Sequence, residues 1–284
     1  MTIFRLGLIG YPLGHSLSPK IHSAALKACG LEGEYSLFPI QPDDQQGLKD
    51  LLARVRSGEI TGLNVTIPHK QNVIPFMDEL TPTAKAIGAG NTIYLRDNKL
   101  VGDNTDAAGF LSDLKKFLAE SPSPKMGEGL RVREKSALVL GAGGSARSVV
   151  YALCNDGWNV TVAARRVEQV QGLAQSFPNY PLPITTFTDL RLSTFDLIVN
   201  TTPLGMTPNI DQSPLPENAI LPKHTMIYDL VYNPRETKLV KEARAQGLAA
   251  ATGLGMLIEQ AALTFELWTG HNPPRDVLWN AVEN

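Results

Sequence analysis

The segment Val139-Leu140-Gly141-Ala142-Gly143-Gly144-Ser145-Ala146 constrains the fold more than any other part of the chain. An apolar strand, Ala137 to Leu140, runs into a G-x-G-x-x-A loop, and the helical run Arg147 to Cys154 follows at once. This order places a strand end against a helix N-terminus across a tight turn, the opening unit of a doubly wound α/β sheet. The first glycine permits the turn, and the second lets backbone N–H groups approach a pyrophosphate. The small third residue lets helix and strand pack closely. A purely structural glycine turn is the competing reading, and it is the strand-then-helix context that favours a dinucleotide.

The end of the next strand bears on which dinucleotide. A NAD site usually places Asp or Glu about 20 residues on, to hold the ribose hydroxyls. Here that strand ends Val162-Ala163-Ala164-Arg165-Arg166, with no acid. Two guanidiniums suit a 2′-phosphate, because Arg is always charged and binds phosphate oxygens bidentately. NADP is favoured over NAD, with a solvated basic turn as the alternative. The missing acid also argues against a methyltransferase. The loop Asn200-Thr201-Thr202-Pro203-Leu204-Gly205-Met206 follows a later strand. It is either a cofactor contact or a Pro/Gly turn.

A separate α/β series precedes the glycine loop. Leu6 to Ile9 reads as a strand, and Ser18-Pro19 opens a helix with Ser as N-cap and Pro as first helical residue. Tyr35 to Ile40 reads as a strand and Gln45 to Ser57 as a helix. A strand at 62–67 follows, then helices at Gln71 to Asp78 and Thr81 to Ile87, and a strand at Asn91 to Leu95. This alternation predicts a mostly parallel, helix-covered sheet. Ala107 to Leu118 reads as a helix leaving it, and Ser121 to Gly129 as a polar Pro/Gly-rich surface loop. Further strands are expected at Val160 to Ala163, Leu197 to Asn200 and Met226 to Asp229. A long apolar-faced helix is expected at Met256 to Trp268.

At 284 residues the chain suits two domains. Its net charge of -2, without a basic run, excludes nucleic acid and anionic membrane as expected partners. Cys29 and Cys154 have no CxxC spacing and read as reduced core thiols. Nothing at the N-terminus resembles a signal peptide, and no apolar run approaches ~18–20 residues. A cytoplasmic protein is expected. The five histidines are too scattered for a metal cluster, and no metal is expected.

The candidate chemistry lies in Gly62-Leu63-Asn64-Val65-Thr66-Ile67-Pro68-His69-Lys70. Side chains two apart on a strand share a face, so Asn64 and Thr66 point together toward the region Lys70 overlooks. An amide, a hydroxyl and an ammonium at a strand end suit a small, oxygen-rich substrate. Gly90-Asn91-Thr92 and Asp103-Asn104-Thr105-Asp106 are two more polar clusters at the ends of apolar runs. On spacing alone Lys70 also reads as a surface charge, and Ser18 as a cap. Ser16, which lacks a capping role in that reading, is the better substrate contact.

Several motifs occur in one order: Gly10-Tyr11-Pro12-Leu13-Gly14-His15-Ser16-Leu17-Ser18-Pro19, Asn64 to Lys70, Gly102 to Asp106, the glycine loop, and Gly253-Leu254-Gly255-Met256-Leu257 to Gln260. This ordered set closely resembles the shikimate dehydrogenases over nearly the whole chain. The resemblance implies NADPH-dependent reduction of 3-dehydroshikimate to shikimate in the aromatic amino-acid (chorismate) pathway. It implies two α/β domains flanking a cleft. Residues 1–106 and 255–284 would form the substrate domain, with a mostly parallel sheet, and 107–254 a Rossmann-like NADP domain. By matching motif, Lys70 and Asp106 would be catalytic. Ser16, Ser18 and Tyr232 would bind the substrate carboxylate, and Asn64, Thr66, Asn91, Asp106 and Gln260 the ring hydroxyls. Gly141, Ala142, Gly143, Gly144, Ser145, Ala164, Arg165, Arg166, Gln169, Leu230 and Gly253 would line the cofactor. The alternatives are a quinate/shikimate dehydrogenase preferring NAD, and a catalytically silent dinucleotide sensor. The oligomeric state stays open, a homodimer among the options.

Overall fold

The computed structural model describes residues 2–121, 134–186, 191–217 and 219–283. The Pro/Gly-rich loop expected at Ser121 to Gly129 lies, beyond Ser121, outside the described residues. The chain divides into two compact units, Met1–Gly109 with Leu257–Asn284, and Phe110–Met256.

Unit 1 opens with β1 (Phe4–Gly10), α1 (Ser18–Ala28), β2 (Gly33–Pro39), α2 (Gln45–Arg56) and β3 (Gly62–Val65). Then come β4 (Glu79–Leu80), α3 (Pro82–Ile87), β5 (Thr92–Arg96), β6 (Lys99–Asp103) and the start of α4 (Asp106–Glu120). α2 shows why the helices form. Asp44 caps it by accepting from Gly47 N, and Arg54 and Arg56 sit in the last turn, where the dipole favours cations. Its Leu48, Leu51, Leu52 and Val55 repeat at helical spacing and enter a core with Ile9, Leu63, Val65 and Ile93. α3 has a Thr81 cap, Pro82 at the first position and Gly88 in the left-handed region at its end.

The sheet order is β2-β1-β3-β5-β6-β4. Strands β1, β2 and β3 run parallel, as do β4 and β6, while β5 is antiparallel to both β3 and β6. The reversal comes from a two-residue turn, Asp97-Asn98, with φ of 50° and 60°. Paired positive φ values make the hairpin turn that matches strand twist. The helix expected at Gln71 to Asp78 is instead a short 3-10 turn, Ile74–Phe76, followed by β4. Pro75 lies inside that segment and supplies no N–H to extend a helix.

Unit 2 continues with β7 (Ser136–Leu140), α5 (Gly144–Asn155), β8 (Asn159–Ala163), α6 (Val167–Gln175) and β9 (Ile184–Thr185). It closes with β10 (Leu197–Asn200), β11 (Met226–Asp229), α7 (Lys238–Ala245) and β12 (Ala250–Thr252). The order β12-β11-β10-β7-β8-β9, with every adjacent pair parallel, is a doubly wound sheet. Its strand order reverses beside β7, the topological switch point where such sheets bind ligands. No helix among the described residues is long and apolar enough to cross a membrane. Cys29 and Cys154 are free but only half-buried, not core thiols; burial still pushes the Cys154 pKa up to about 11.

Two last helices, α8 (Leu254–Thr269) and α9 (Arg275–Glu283), complete the chain, and most of α8 returns to unit 1. A side chain at Gly62 would collide with the Trp268 indole, so glycine lets α8 pack directly on β3. Trp268 Nε1 donates to Ile93 O at 3.2 Å. Beneath lies His22, fully buried and stacked on Tyr35 with centroids 4.4 Å apart.

Burial lowers the His22 pKa from 6.5 to about 3, with the Asn64 side chain acting in the opposite sense. The unfolded chain therefore binds a proton below pH 6.5 that the folded chain refuses until about pH 3. Stability linked to His22 is complete above 6.5 and is lost as pH falls toward 3, by up to ~1.4 kcal/mol per pH unit. Replacing His22 with Phe keeps the ring stack and removes the titration. In urea titrations between pH 7 and 4, the parent should lose stability relative to His22→Phe as pH falls, and parallel curves would refute the linkage.

Candidate active site

One edge of the unit 1 sheet collects the polar residues. Asn64 near the end of β3 pairs with Thr92 at the start of β5, and Thr92 pairs with Asp103 at the end of β6. The hairpin thus brings the start of β5 level with the end of β3. The segments after the strands are tied together there. Thr66 N donates to Ile9 O at 2.8 Å, Tyr11 N to Ile67 O at 2.9 Å, and Gly90 N to Lys70 O at 2.8 Å.

Lys70 Nζ lies 2.6 Å from Asp106 Oδ2, and the two side chains are only 11% and 6% exposed. Asp106 opens α4, where the helix N-terminus favours a carboxylate. Its second oxygen, Oδ1, accepts from Asn91 Nδ2 at 3.0 Å. The orientation of the Asn91 amide is unambiguous, because its Oδ1 accepts from the backbone N–H of Thr105 at 2.8 Å. Asn91 Nδ2 also reaches Gln260 Oε1 at 3.2 Å, and Gln260 Nε2 donates to Leu257 O.

A closed circuit of hydrogen bonds backs this set. Asn91 Nδ2 donates to Thr105 Oγ1 at 2.9 Å, and Thr105 Oγ1 lies 2.9 Å from Thr264 Oγ1. Thr264 Oγ1 lies 2.9 Å from Thr92 Oγ1, which returns to Asn91 Oδ1 at 3.1 Å. Thr105 Oγ1 also lies 3.2 Å from Asn91 Oδ1, so its one proton is shared between two acceptors. Thr264 also lies 3.5 Å from Asn64 Nδ2, which donates to Asn91 O at 3.2 Å. Lys70, Asp106, Asn91, Asn64 and Gln260 thus form one connected group.

Thr92 and Thr105, part of the two polar clusters but given no role from the sequence, join that group, as does Thr264, which the sequence did not single out. The available signals were proximity to Asn91 and Asp106, and the four-residue step from Gln260 to Thr264 along one helix face. Thr66 is half-buried beside Gly10, and among the described residues its hydroxyl joins none of these bonds. His69 is buried, with Nε2 2.7 Å from Ile40 O, a structural anchor.

Ser18 is not the cap expected from the sequence. Leu17, not Ser18, is the N-cap of α1, without a side-chain hydrogen bond, and Ser18 is the first helical residue. Ser16 Oγ accepts from Ser18 N at 3.2 Å. The backbone of Leu17 is already helical, which shifts the cap one residue earlier and puts Ser16 in range of the helix N–H.

In unit 2, Gly141 has φ +119°, and a side chain there would collide with Thr201, whose Oγ1 donates to Leu140 O at 2.7 Å. Gly143 caps α5 without a side-chain bond, and a Cβ there would meet open space. That bare helix end, together with Ala142, Gly144 and Ser145, fits a pyrophosphate. Ala164 is buried at the end of β8, while Arg165, Arg166 and Gln169 are exposed and able to meet a phosphate. Leu230 backbone stands against Gly253, which tolerates no side chain there. Tyr232 lies on the loop after β11, where burial raises its pKa.

Asn200 is used internally. Its Oδ1 accepts from Thr202 N and Oγ1, and its Nδ2 donates to Asp229 Oδ1 at 2.8 Å. Asp229 also accepts from Val231 N and Thr237 Oγ1. Burial outweighs these donors and raises its pKa to about 6.

Family comparisons match three stretches of the chain. Residues 8–93 match the shikimate dehydrogenase substrate-binding domain, 125–246 the shikimate/quinate 5-dehydrogenase domain, and 253–283 the shikimate 5′-dehydrogenase C-terminal domain. The shikimate dehydrogenase (NADP(+)) of Symbiobacterium thermophilum is 38% identical, over 98% of this chain and 92% of that protein. That of Bacillus subtilis is 39% identical, over 94% of this chain and 92% of that protein. The Thermus thermophilus shikimate 5-dehydrogenase, crystallised with NADP(H) and shikimate, superposes with a TM-score of 0.84 at 36% identity, covering 99% of this chain and 98% of that one.

Proposed function

The chain belongs to the shikimate dehydrogenase family, and from that premise we propose that it interconverts 3-dehydroshikimate and shikimate with NADP as redox cofactor. The observation that carries the reading is the buried Lys70–Asp106 pair, set among amide and hydroxyl groups suited to a polyhydroxylated ring.

Bound NADPH supplies the hydride for carbonyl reduction. Lys70 stabilises the oxygen as it gains negative charge and provides an acidic hydrogen beside it. Asp106 holds the ammonium in place. Asn64, Thr66, Asn91, Asp106 and Gln260 contact the ring hydroxyls, and Ser16, Ser18 and Tyr232 the carboxylate. In unit 2 the N–H groups of Gly141 to Ser145 hold the pyrophosphate. Arg165 and Arg166 hold the 2′-phosphate, while Ala164, Gln169, Leu230 and Gly253 complete the cofactor wall. Residues 1–106 and 255–284 act as the substrate domain and 107–254 as the NADP domain. The structural division at Gly109 and Met256 supports that assignment. The free thiols Cys29 and Cys154 suit a reducing, cytoplasmic setting.

Absorbance at the nicotinamide band, with shikimate and quinate each paired with NAD and NADP, tests the activity. The shikimate–NADP pair should give the highest kcat/KM; turnover confined to quinate with NAD would replace this reading. Lys70→Ala should lower kcat about 10²–10⁴-fold with a small effect on KM, and an unchanged kcat would remove Lys70 from the chemistry. Arg165→Ala combined with Arg166→Ala should raise KM for NADP far more than for NAD. Equal increases would refute the 2′-phosphate assignment.

A further inference from the structure

Asn64 is 5% exposed and held from both ends. Its Nδ2 donates to the carbonyl oxygen of Asn91 at 3.2 Å. A carbonyl only accepts, so this contact identifies the nitrogen end of the amide, and the oxygen end must face Tyr35. The Tyr35 hydroxyl, 2.9 Å from Asn64 Oδ1, is therefore the donor. Tyr35 projects from β2 and is 9% exposed. Its ring lies flat on His22, with 2° between planes. His22 is in turn backed by Trp268 and Phe265, with centroids 5.4 Å and 6.3 Å away. This aromatic stack holds the phenol ring in place.

We propose that Tyr35 is a positioning residue for substrate recognition, its hydroxyl holding the oxygen end of the Asn64 amide at a fixed angle. With Tyr35 on the oxygen and the Asn91 carbonyl on the nitrogen, the amide cannot exchange its donor and acceptor ends. The substrate hydroxyl therefore meets a group of fixed polarity. Without the phenol hydroxyl, the amide oxygen loses its partner and the amide swings about the Asn91 contact that still holds its nitrogen. The proposal rests on the assignment of Asn64 to substrate binding.

A double-mutant cycle tests it. Tyr35→Phe keeps the ring stack and removes only the hydroxyl. It should raise KM for shikimate about tenfold and leave kcat and KM for NADP within about twofold. In an Asn64→Ala background the same substitution should have no further effect on KM, because Tyr35 acts through Asn64. Tyr35→Met, a flexible apolar filler, serves the same cycle should the Phe variant not fold. An unchanged KM in Tyr35→Phe, or an equal rise in both backgrounds, overturns the positioning role while leaving Asn64 in the site. Unaltered shikimate kinetics in Asn64→Ala alone would overturn the Asn64 assignment, and the positioning role with it.

Discussion

Burying an ammonium against a carboxylate sets the terms for everything around it in unit 1. Lys70 and Asp106 have surrendered nearly all their water, and an unpartnered buried charge costs about 3–5 kcal/mol. The surroundings must therefore supply hydrogen bonds, and their donors and acceptors must match in turn. Asn91 answers for the second carboxylate oxygen, Thr105 for Asn91, and Thr264 and Thr92 close the loop. A densely bonded group of this kind is rigid, which suits a site that must present charge and hydroxyl partners in fixed directions.

The mixed sheet is what gathers these residues. In unit 2 every adjacent strand pair is parallel, and the glycine loop sits at one carboxyl edge beside the switch point. In unit 1 the β5–β6 hairpin turns one strand around. Residues at the start of β5 then stand level with those at the end of β3 and β6. Asn64, Thr92 and Asp103, distant in sequence, become neighbours on one row. A wholly parallel sheet would have carried Asn91 and Thr92 to the opposite edge.

Much of this was legible in the amino-acid sequence. The glycine loop and the apolar strands of unit 2 have strong local signals, and Met226–Asp229 is found at its expected bounds. Lys70, Asp106, Asn64, Asn91 and Gln260 were reached through ordered motifs, and the structure joins them. Other features depended on tertiary context. Lys99–Asp103 read as the tail of an apolar run because its pairing partner is the preceding strand, through a turn of Asp and Asn without glycine. Pro75 allowed a 3-10 turn where apolar spacing suggested a helix. Ser18 is not the cap because a cap is decided by backbone angles, which Leu17 adopts one residue early. Thr264 carries no motif of its own, and its part follows from what α8 packs against.

Unit 1 is assembled from two stretches of chain, with the whole of unit 2 between them. Gln260, Thr264, Phe265 and Trp268 all belong to the second stretch, and all bear on the polar group or on the aromatic stack beneath it. On a ribosome the early strands emerge first, yet the partners that cover β3 are translated last. Domains usually mature in the order they are made. Here the contiguous later unit has all its residues in hand sooner, and the earlier one must stay incomplete until nascent-chain elongation delivers its closing helix.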